Sequence, residues 1–465
     1  MNASLQRTYF AMPAWMQTVM LSAYGLRLRA LRYGALQRRM LQELLATQWL
    51  QADALEQLQL ERLNILLRHA AATVPFYRDR RLPSEVGSLD ELRALPLLEK
   101  SEVRGAGDDM LSTSHQGSLV EIHTGGTTGM PLNIRTDRAA LQCNYAFFAR
   151  LLVWAGIRPG ARVATFAGRT IIKPDQAEPP FWRTNLASNT LLMSSYHLSP
   201  ATLDSYVARL RAFRPELIDS YPSSIEPIAR RLVALGARDI RPRAVVTSSE
   251  TLFPETRTLL ERAFGCPVHD HYGAAEMAAL ITQCERGSYH VNPEFGIVEI
   301  LRDGKPVAPG ETGEIVATGF VNPVMPLIRY RTGDLAVPAA RGCDCGRGFP
   351  VIDRIIGRLD DVIITPEGRR IGRLDPIFKA VASLAETRIV QDAPDHVTVE
   401  LVVHGNFPEA ERHTLVRELA NRIGPSMRID LVEVAHIPRA ASGKLRTVVN
   451  LVSAASRSQT AVPIA

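Results

Sequence analysis

Between residues 119 and 272, short runs suited to β-strands alternate with stretches of helical length, and no other feature restricts the fold as tightly. Leu119–His123, Arg162–Phe166, Glu216–Asp219, Ala244–Thr247 and Val268–Tyr272 are the strand-like runs. Segments 138–156, 199–213, 224–236 and 254–264 have helical length and lie between them. Such alternation over roughly 150 residues predicts an α/β fold, with a mainly parallel sheet and helices on both faces. The rhythm then changes to strands without helices, at Gly296–Leu301, Gly313–Thr318 and Met325–Tyr330. These predict a small antiparallel, barrel-like annex closing the large domain.

On the N-terminal side, apolar residues recur at helical spacing from Leu44 to Ala72 and stop at Val74-Pro75, giving a helical entrance over residues 1–75. After Gly357 the pattern predicts a small α+β unit: a strand at Asp361–Thr365, a helix near 374–384, strands at 387–391 and 396–403, a helix at 408–423 and a strand at 429–436. The expected division is therefore an N-terminal domain over 1–357 and a mobile C-terminal lid over 358–465, with residues from Ala454 onward as a tail.

Apolar residues make up 46% of the 465 and charged residues 22%, as in a globular enzyme and unlike a disordered chain. Five cysteines exclude a disulfide-stapled secreted scaffold. The net charge of +6 comes from 54 cations against 48 anions spread along the chain, so no nucleic-acid partner is expected. Only five cations are lysines, at 100, 173, 305, 379 and 444, which makes any functional lysine easy to enumerate. Residues 1–42 hold six arginines and no acidic residue, and Thr8–Leu26 is uncharged. Pro13, Gln17, Thr18, Ser22 and Gly25 interrupt that run, so it reads as an amphipathic helix, either packed on the protein or lying on an anionic membrane surface. No signal-peptide cleavage site follows it, and the expected location is cytoplasmic, with peripheral membrane contact through residues 1–42 as the other reading.

Five segments carry candidate chemistry. His123-Thr124-Gly125-Gly126-Thr127-Thr128-Gly129-Met130-Pro131 follows a predicted strand; it is either a polyphosphate cradle of backbone N–H groups and hydroxyls or an ordinary Gly/Thr turn. It lacks the Gly-Lys-Ser/Thr of a Walker loop. His271-Tyr272-Gly273-Ala274-Ala275-Glu276 lies at another strand end, where open α/β sheets bind ligands, and Glu276 is either a divalent-cation ligand or a helix cap. Arg329-Tyr330-Arg331-Thr332-Gly333-Asp334 delivers a carboxylate into a glycine turn, suited to two ribose hydroxyls or to a plain β-turn. Gly357-Arg358-Leu359-Asp360-Asp361 sits at the change of domain character and reads as a hinge. Pro438-Arg439-Ala440-Ala441-Ser442-Gly443-Lys444 places a scarce lysine on a glycine-bearing loop, where an ammonium can meet developing oxyanion charge.

In this order and at these distances the five segments resemble the adenylate-forming (acyl-CoA synthetase-like) superfamily, from about residue 40 to 450. Arg32-Tyr33-Gly34, Val74-Pro75-Phe76-Tyr77-Arg78 and the cysteines below are most similar to the phenylacetate-CoA ligase branch, near its capsular-polysaccharide-associated, coenzyme F390 synthetase-like group. The resemblance implies that Gly126, Thr127, Thr128 and Gly129 hold ATP phosphates, Tyr272 and Gly273 line the nucleotide and acyl pocket, and Glu276 holds Mg²⁺. It implies ribose binding by Asp334, nucleotide contact by Arg358, a hinge at Asp360, and a bridge from Lys444 to carboxylate and α-phosphate. Ser248, Ser249 and Glu250 stand where relatives have a glycine-rich adenine segment. Met130 replaces the lysine of many phosphate loops, and Ala440 replaces threonine in the terminal motif.

Cys284, His290, Cys343 and Cys345 are ligand types that zinc prefers, and the resemblance implies a structural site; free thiols and a surface histidine are the alternative. Cys143 and Cys266 read as ordinary buried thiols. Tyr145, Phe147, Phe148, Tyr221, Ser223 and His271 are acyl-pocket or core residues, and His269 and His271 are either acid–base groups or pocket wall. The expected activity is ATP-dependent activation of a carboxylic acid, an aryl or arylacetic acid, to an acyl-adenylate and then a CoA thioester, by a monomer or homodimer. Transfer to an amine, hydroxyl or carrier-protein thiol, and a silent scaffold, are the other readings.

Overall fold

The computed structural model describes residues 3–123, 132–173, 175–199, 201–357, 362–367, 370–372, 374, 377–378, 381, 383–403, 405–437 and 448–452. Four helices, Ala3–Ala11, Ala14–Arg32, Ala35–Thr47 and Ala52–Thr73, form the entrance. The helical run expected from Leu44 to Ala72 breaks at Gln48–Gln51. There the Gln48 side chain donates to the Leu45 carbonyl (2.7 Å) and accepts from Trp154 Nε1 (2.7 Å), so it serves a tertiary contact and ends the helix. The inner face of Ala14–Arg32 packs on the body. Arg183 Nε donates to Gln17 Oε1 at 2.6 Å, and a Cβ on Gly25 would lie 2.4 Å from the Asn185 amide. Gly34 similarly lets the chain approach Gln142.

Strands Thr190–Met193, Val163–Phe166, Leu217–Ser220, Ala244–Ser248 and Val268–Gly273 run parallel as neighbours, with Trp182–Asn185 antiparallel at the edge. Strand periodicity separates their two faces. Leu217, Ala244 and Val246 pack with Leu151 and Ala155 on the side of helix Arg138–Trp154. Phe166, Ile218 and Val245 face helices Leu203–Phe213, Pro222–Ala234 and Pro254–Phe264.

The strands expected as an annex are hydrogen-bonded into this same sheet. Leu280–Gln283 pairs antiparallel with Val268–Gly273, and Tyr289–Val291, Val351–Gly357, Tyr330–Pro338, Gly313–Gly319, Gly296–Arg302 and Lys305–Pro306 follow in that order, thirteen strands in all. Met325–Tyr330 is not a strand. Met325, Leu327 and Ile328 are buried, but Arg329 has φ +50° and the strand starts only at Tyr330. Val120–His123 also leaves the parallel set and forms a hairpin with Asn133–Thr136.

Near the C-terminus, Leu384–Ala393 and His396–Val403 pair antiparallel and are flanked in parallel by Val448–Asn450 and Arg428–Glu433. Helix Glu409–Ile423 buries Leu415, Leu419 and Ile423 against this sheet. Of the helix expected near 374–384, Ile377 and Phe378 are helical, Leu384 already belongs to the strand, and several residues lie outside those described.

Candidate active site

Two of the five motifs converge at the end of strand Val268–Gly273. Tyr272 donates its phenolic hydrogen to Asp334 Oδ2 at 2.9 Å. Burial first, and then the Asp334 charge, push that phenol well above its ordinary pKa, so it stays a donor. Gly333 takes φ +79° within strand Tyr330–Pro338, where the register with Gly313–Gly319 shifts around Asp334, so the expected glycine turn is a strand irregularity. The Gly333 N–H donates to Glu314 Oε1. Glu276 accepts from Tyr330 Oη at 3.0 Å and lies 3.7 Å from Lys100 Nζ.

No sequence motif singled out Lys100. Leu98 bridges in parallel to Tyr330, with Leu98 N donating to Arg329 O and Arg331 N donating to Leu98 O, and this brings the start of helix Lys100–Ala106 to Glu276. Its scarcity among the cations was the only signal available.

A second wall forms where helix Arg138–Trp154 passes the strand ends. Tyr145 and Phe148 have ring centroids 5.9 Å apart, and Phe148 meets His271 edge-on at 5.2 Å. Burial lowers the His271 pKa to about 4, and its Nδ1 has no partner among the described residues. Arg32 covers the Tyr145 ring at 4.7 Å and Tyr33 packs beside it. Tyr221 lies against Gly168, where a Cβ would approach its ring to 3.3 Å. Phe147 belongs to the core instead, edge-on to Phe295. His269 is buried and its pKa is lowered by that burial. Asp270 accepts from Thr247 and Tyr289, both at 2.6 Å, and burial raises it to about 6.

Ser248 ends its strand, Ser249 takes φ +69°, and Glu250 turns back to accept from Ser223 N (3.0 Å) and Ser223 Oγ (2.9 Å). Arg422, from helix Glu409–Ile423, donates to Ser223 Oγ at 2.7 Å and lies 3.6 Å from Glu250. Thr251 Oγ1 donates to Ile356 O, beside Gly357. Gly126, Thr127, Thr128, Gly129, Met130, Arg358, Asp360 and Lys444 lie outside the described residues.

Cys284, His290, Cys343 and Cys345 come together with all ligand atoms within 4.8 Å. Cys284 Sγ and Cys343 Sγ are 3.8 Å apart, and Cys345 Sγ is 3.4 Å from His290 Nε2. Two sulfurs at about 2.3 Å from a tetrahedral zinc would be separated by about 3.8 Å, so the cluster fits that ion. The hairpin of Leu280–Gln283 and Tyr289–Val291 supplies one pair of ligands, Cys284 just past the first strand and His290 within the second, and the 343–345 loop supplies the other. Cys143 and Cys266 are half-buried, and burial raises Cys266 to about 12.

The family model "CapK C-terminal domain" matches residues 363–451. The protein CapK of Staphylococcus aureus is 26% identical over 423 residues, covering 86% of this chain and 90% of CapK. A phenylacetate-coenzyme A ligase of Thermus thermophilus is 26% identical over 440 residues, covering 86% of this chain and 97% of that ligase. Among solved structures, 2-hydroxyisobutyryl-CoA ligase with 2-HIB-AMP and CoA aligns with TM-score 0.59 at 21% identity, covering 89% of this chain and 93% of that one. That likeness establishes a shared fold.

Proposed function

We propose, on the premise that this chain is a homologue of CapK and the phenylacetate-coenzyme A ligases within the adenylate-forming superfamily, that it joins a carboxylic acid to CoA at the expense of ATP. The observation that best supports this reading is the convergence of Tyr272, Asp334 and Glu276 at one strand end. A carboxylate is a poor acyl donor because its leaving group is oxide. Its oxygen attacks the α-phosphorus of ATP, the bond to the β-phosphate breaks and pyrophosphate departs. The CoA thiolate then attacks the acyl carbon and AMP leaves with the bond electrons.

In this scheme Asp334, aligned by the Tyr272 phenol, accepts the ribose hydroxyls, and Gly126, Thr127, Thr128 and Gly129 cradle the phosphates. Glu276 is a hard oxygen donor suited to Mg²⁺, which when bound neutralises phosphate charge. Lys100 balances Glu276 until the nucleotide's cation arrives. Ser248 and Tyr272 border the adenine, Arg358 contacts the nucleotide, and Lys444 offsets charge at the α-phosphate. Tyr145, Tyr221 and His271 face the acid. We further infer that residues 358–465 rotate about Asp360 between the two steps, breaking the Arg422–Ser223 contact. The named phenylacetate ligases favour an aryl or arylacetic acid. The test is ATP–pyrophosphate exchange over a panel of acids without CoA, followed by thioester analysis with it. Adenylation without a thioester would instead favour an amine, hydroxyl or carrier-protein acceptor.

The Cys284/His290/Cys343/Cys345 cluster is assigned as a closed, structural zinc site. One zinc per chain is expected by elemental analysis, and its removal by a chelator should lower Tm by several degrees. Metal-free protein with an unchanged Tm would contradict the assignment.

No helix among the described residues is long and apolar enough to cross a membrane. Helix Ala14–Arg32 nevertheless turns Trp15, Val19, Ala23, Leu26 and Ala30 outward along one face, with exposed Arg27 and Arg29 flanking it. That stripe and its charge suit an anionic bilayer surface. The protein should co-sediment with phosphatidylglycerol vesicles and Trp15→Asp/Leu26→Asp should not; equal sedimentation of the two would overturn this docking.

A further inference from the structure

The acid pocket contains a carboxylate that none of the adenylation steps uses. Asp219 is the third residue of strand Leu217–Ser220 and pairs with Thr165 on one side and Val246 on the other. By strand alternation it shares a face with Leu217 and Val246, which pack toward helix Arg138–Trp154. One row further along that face the register places Ser248 beside His271, and Tyr221 follows Asp219 by two residues. Asp219 therefore lies beneath Tyr145, whose phenol feels its charge, and two strands across from His271.

Its surroundings are unusual for an acid. Asp219 is half-buried, and no hydrogen bond reaches its carboxylate from the described residues. Burial raises its pKa to about 6, opposed only by the charge of Arg169. Among the described residues its carboxylate thus has no protein donor, and two strands away His271, whose pKa burial lowers to about 4, has an unpartnered Nδ1. A carboxylate on this face with no protein donor is matched by a ligand that brings one with it.

We infer that Asp219, beside Tyr145, selects acids whose tail carries a hydrogen-bond donor, a hydroxyl or an amino group, over acids with a bare hydrocarbon tail. This deepens the acid-ligase reading and rests on it. A site built around a substrate donor discriminates strongly, because the analogue lacking it leaves the protein group unpaired.

The experiment compares kcat/KM in ATP–pyrophosphate exchange for matched pairs, phenylacetate against 4-hydroxyphenylacetate and 4-aminophenylacetate, and propionate against 3-hydroxypropionate and 3-aminopropionate. In the wild type, at least one donor-bearing acid should exceed its bare partner by about tenfold or more. Asp219→Ala should collapse that ratio toward one. Asp219→Asn, nearly isosteric, keeps one acceptor oxygen and should reduce the ratio without erasing it. Exchange of the bare acids as fast as the donor-bearing ones would overturn the inference and leave the ligase reading standing. A donor preference that survives Asp219→Ala would also overturn it. Silence with every acid would overturn the ligase reading, and this inference with it.

Discussion

Replacing Lys444 by alanine should lower acid-dependent ATP–pyrophosphate exchange by about 10²–10³-fold, the cost typical of removing one group that meets developing charge in a transition state. Charge builds on the α-phosphate oxygens as the carboxylate attacks, and a preorganised ammonium offsets it without reorganising solvent. Lysine is scarce in this chain, and Lys444 follows Ser442-Gly443 in the sequence. If Lys444 withdraws after adenylation, the variant should retain thioester formation from chemically supplied acyl-adenylate and CoA. An equal loss in both half-reactions would show that Lys444 serves the fold or both poses alike. Unchanged exchange would remove it from the chemistry.

Arg150→Met should destabilise the protein by about 3–5 kcal/mol, the usual cost of stranding the partner of a buried ion pair. Arg150 and Glu294 are almost completely buried, and the guanidinium donates to Glu294 at 2.7 and 3.0 Å, to Asn292 Oδ1 at 2.6 Å and to Leu44 O at 3.1 Å. Thr47 adds a 2.8 Å bond to the same carboxylate. The cluster thus joins helices Ala35–Thr47 and Arg138–Trp154 to the segment after Tyr289–Val291. Burial alone would raise the Glu294 pKa, but the charge and hydrogen bonds of Arg150, with Thr47, hold it below the ordinary value of 4.5. The pair's stabilisation is therefore present above about pH 4.5 and lost as pH falls through the depressed pKa. Urea denaturation of wild type, Arg150→Met and Arg150→Met/Glu294→Gln checks this. The double variant should regain much of the loss, because it no longer buries an unpaired charge. A single-variant cost below about 1 kcal/mol would mean that water reaches Glu294.

Four of the five parallel strands were legible in the sequence, most plainly Ala244–Ser248, an apolar, β-branched run closed by a polar residue, whereas Thr190–Met193 was missed. In the antiparallel half only Gly296–Arg302 and Gly313–Gly319 were legible. Trp182–Asn185, Leu280–Gln283 and Tyr289–Val291 are three or four residues long, and Leu280–Gln283 is buried on both faces, leaving no alternation to detect. Among site residues, those carried by compact motifs could be named in advance: Tyr272, Glu276 and Asp334 lie in two short segments, and the four metal-ligand candidates announce themselves by residue type. Lys100, Asp219 and Arg422 could not. Lys100 reaches Glu276 only through the Leu98–Tyr330 bridge, and Arg422 meets Ser223 from a helix near the other end of the chain. Asp219 stands in an unremarkable strand, and only the register places it beneath the aromatic wall. Glu250 was expected at the nucleotide; its carboxylate is held by Ser223, with Arg422 close by.

The most direct measurement is acid-dependent ATP–pyrophosphate exchange by the wild-type, metal-loaded protein over aryl, arylacetic, fatty, hydroxy and amino acids, with CoA left out. Exchange needs no acceptor, so it isolates the attack of a carboxylate on the α-phosphorus. The account predicts label entering ATP with one class of acid and none without acid. Folded protein that incorporates no label with any acid would contradict it.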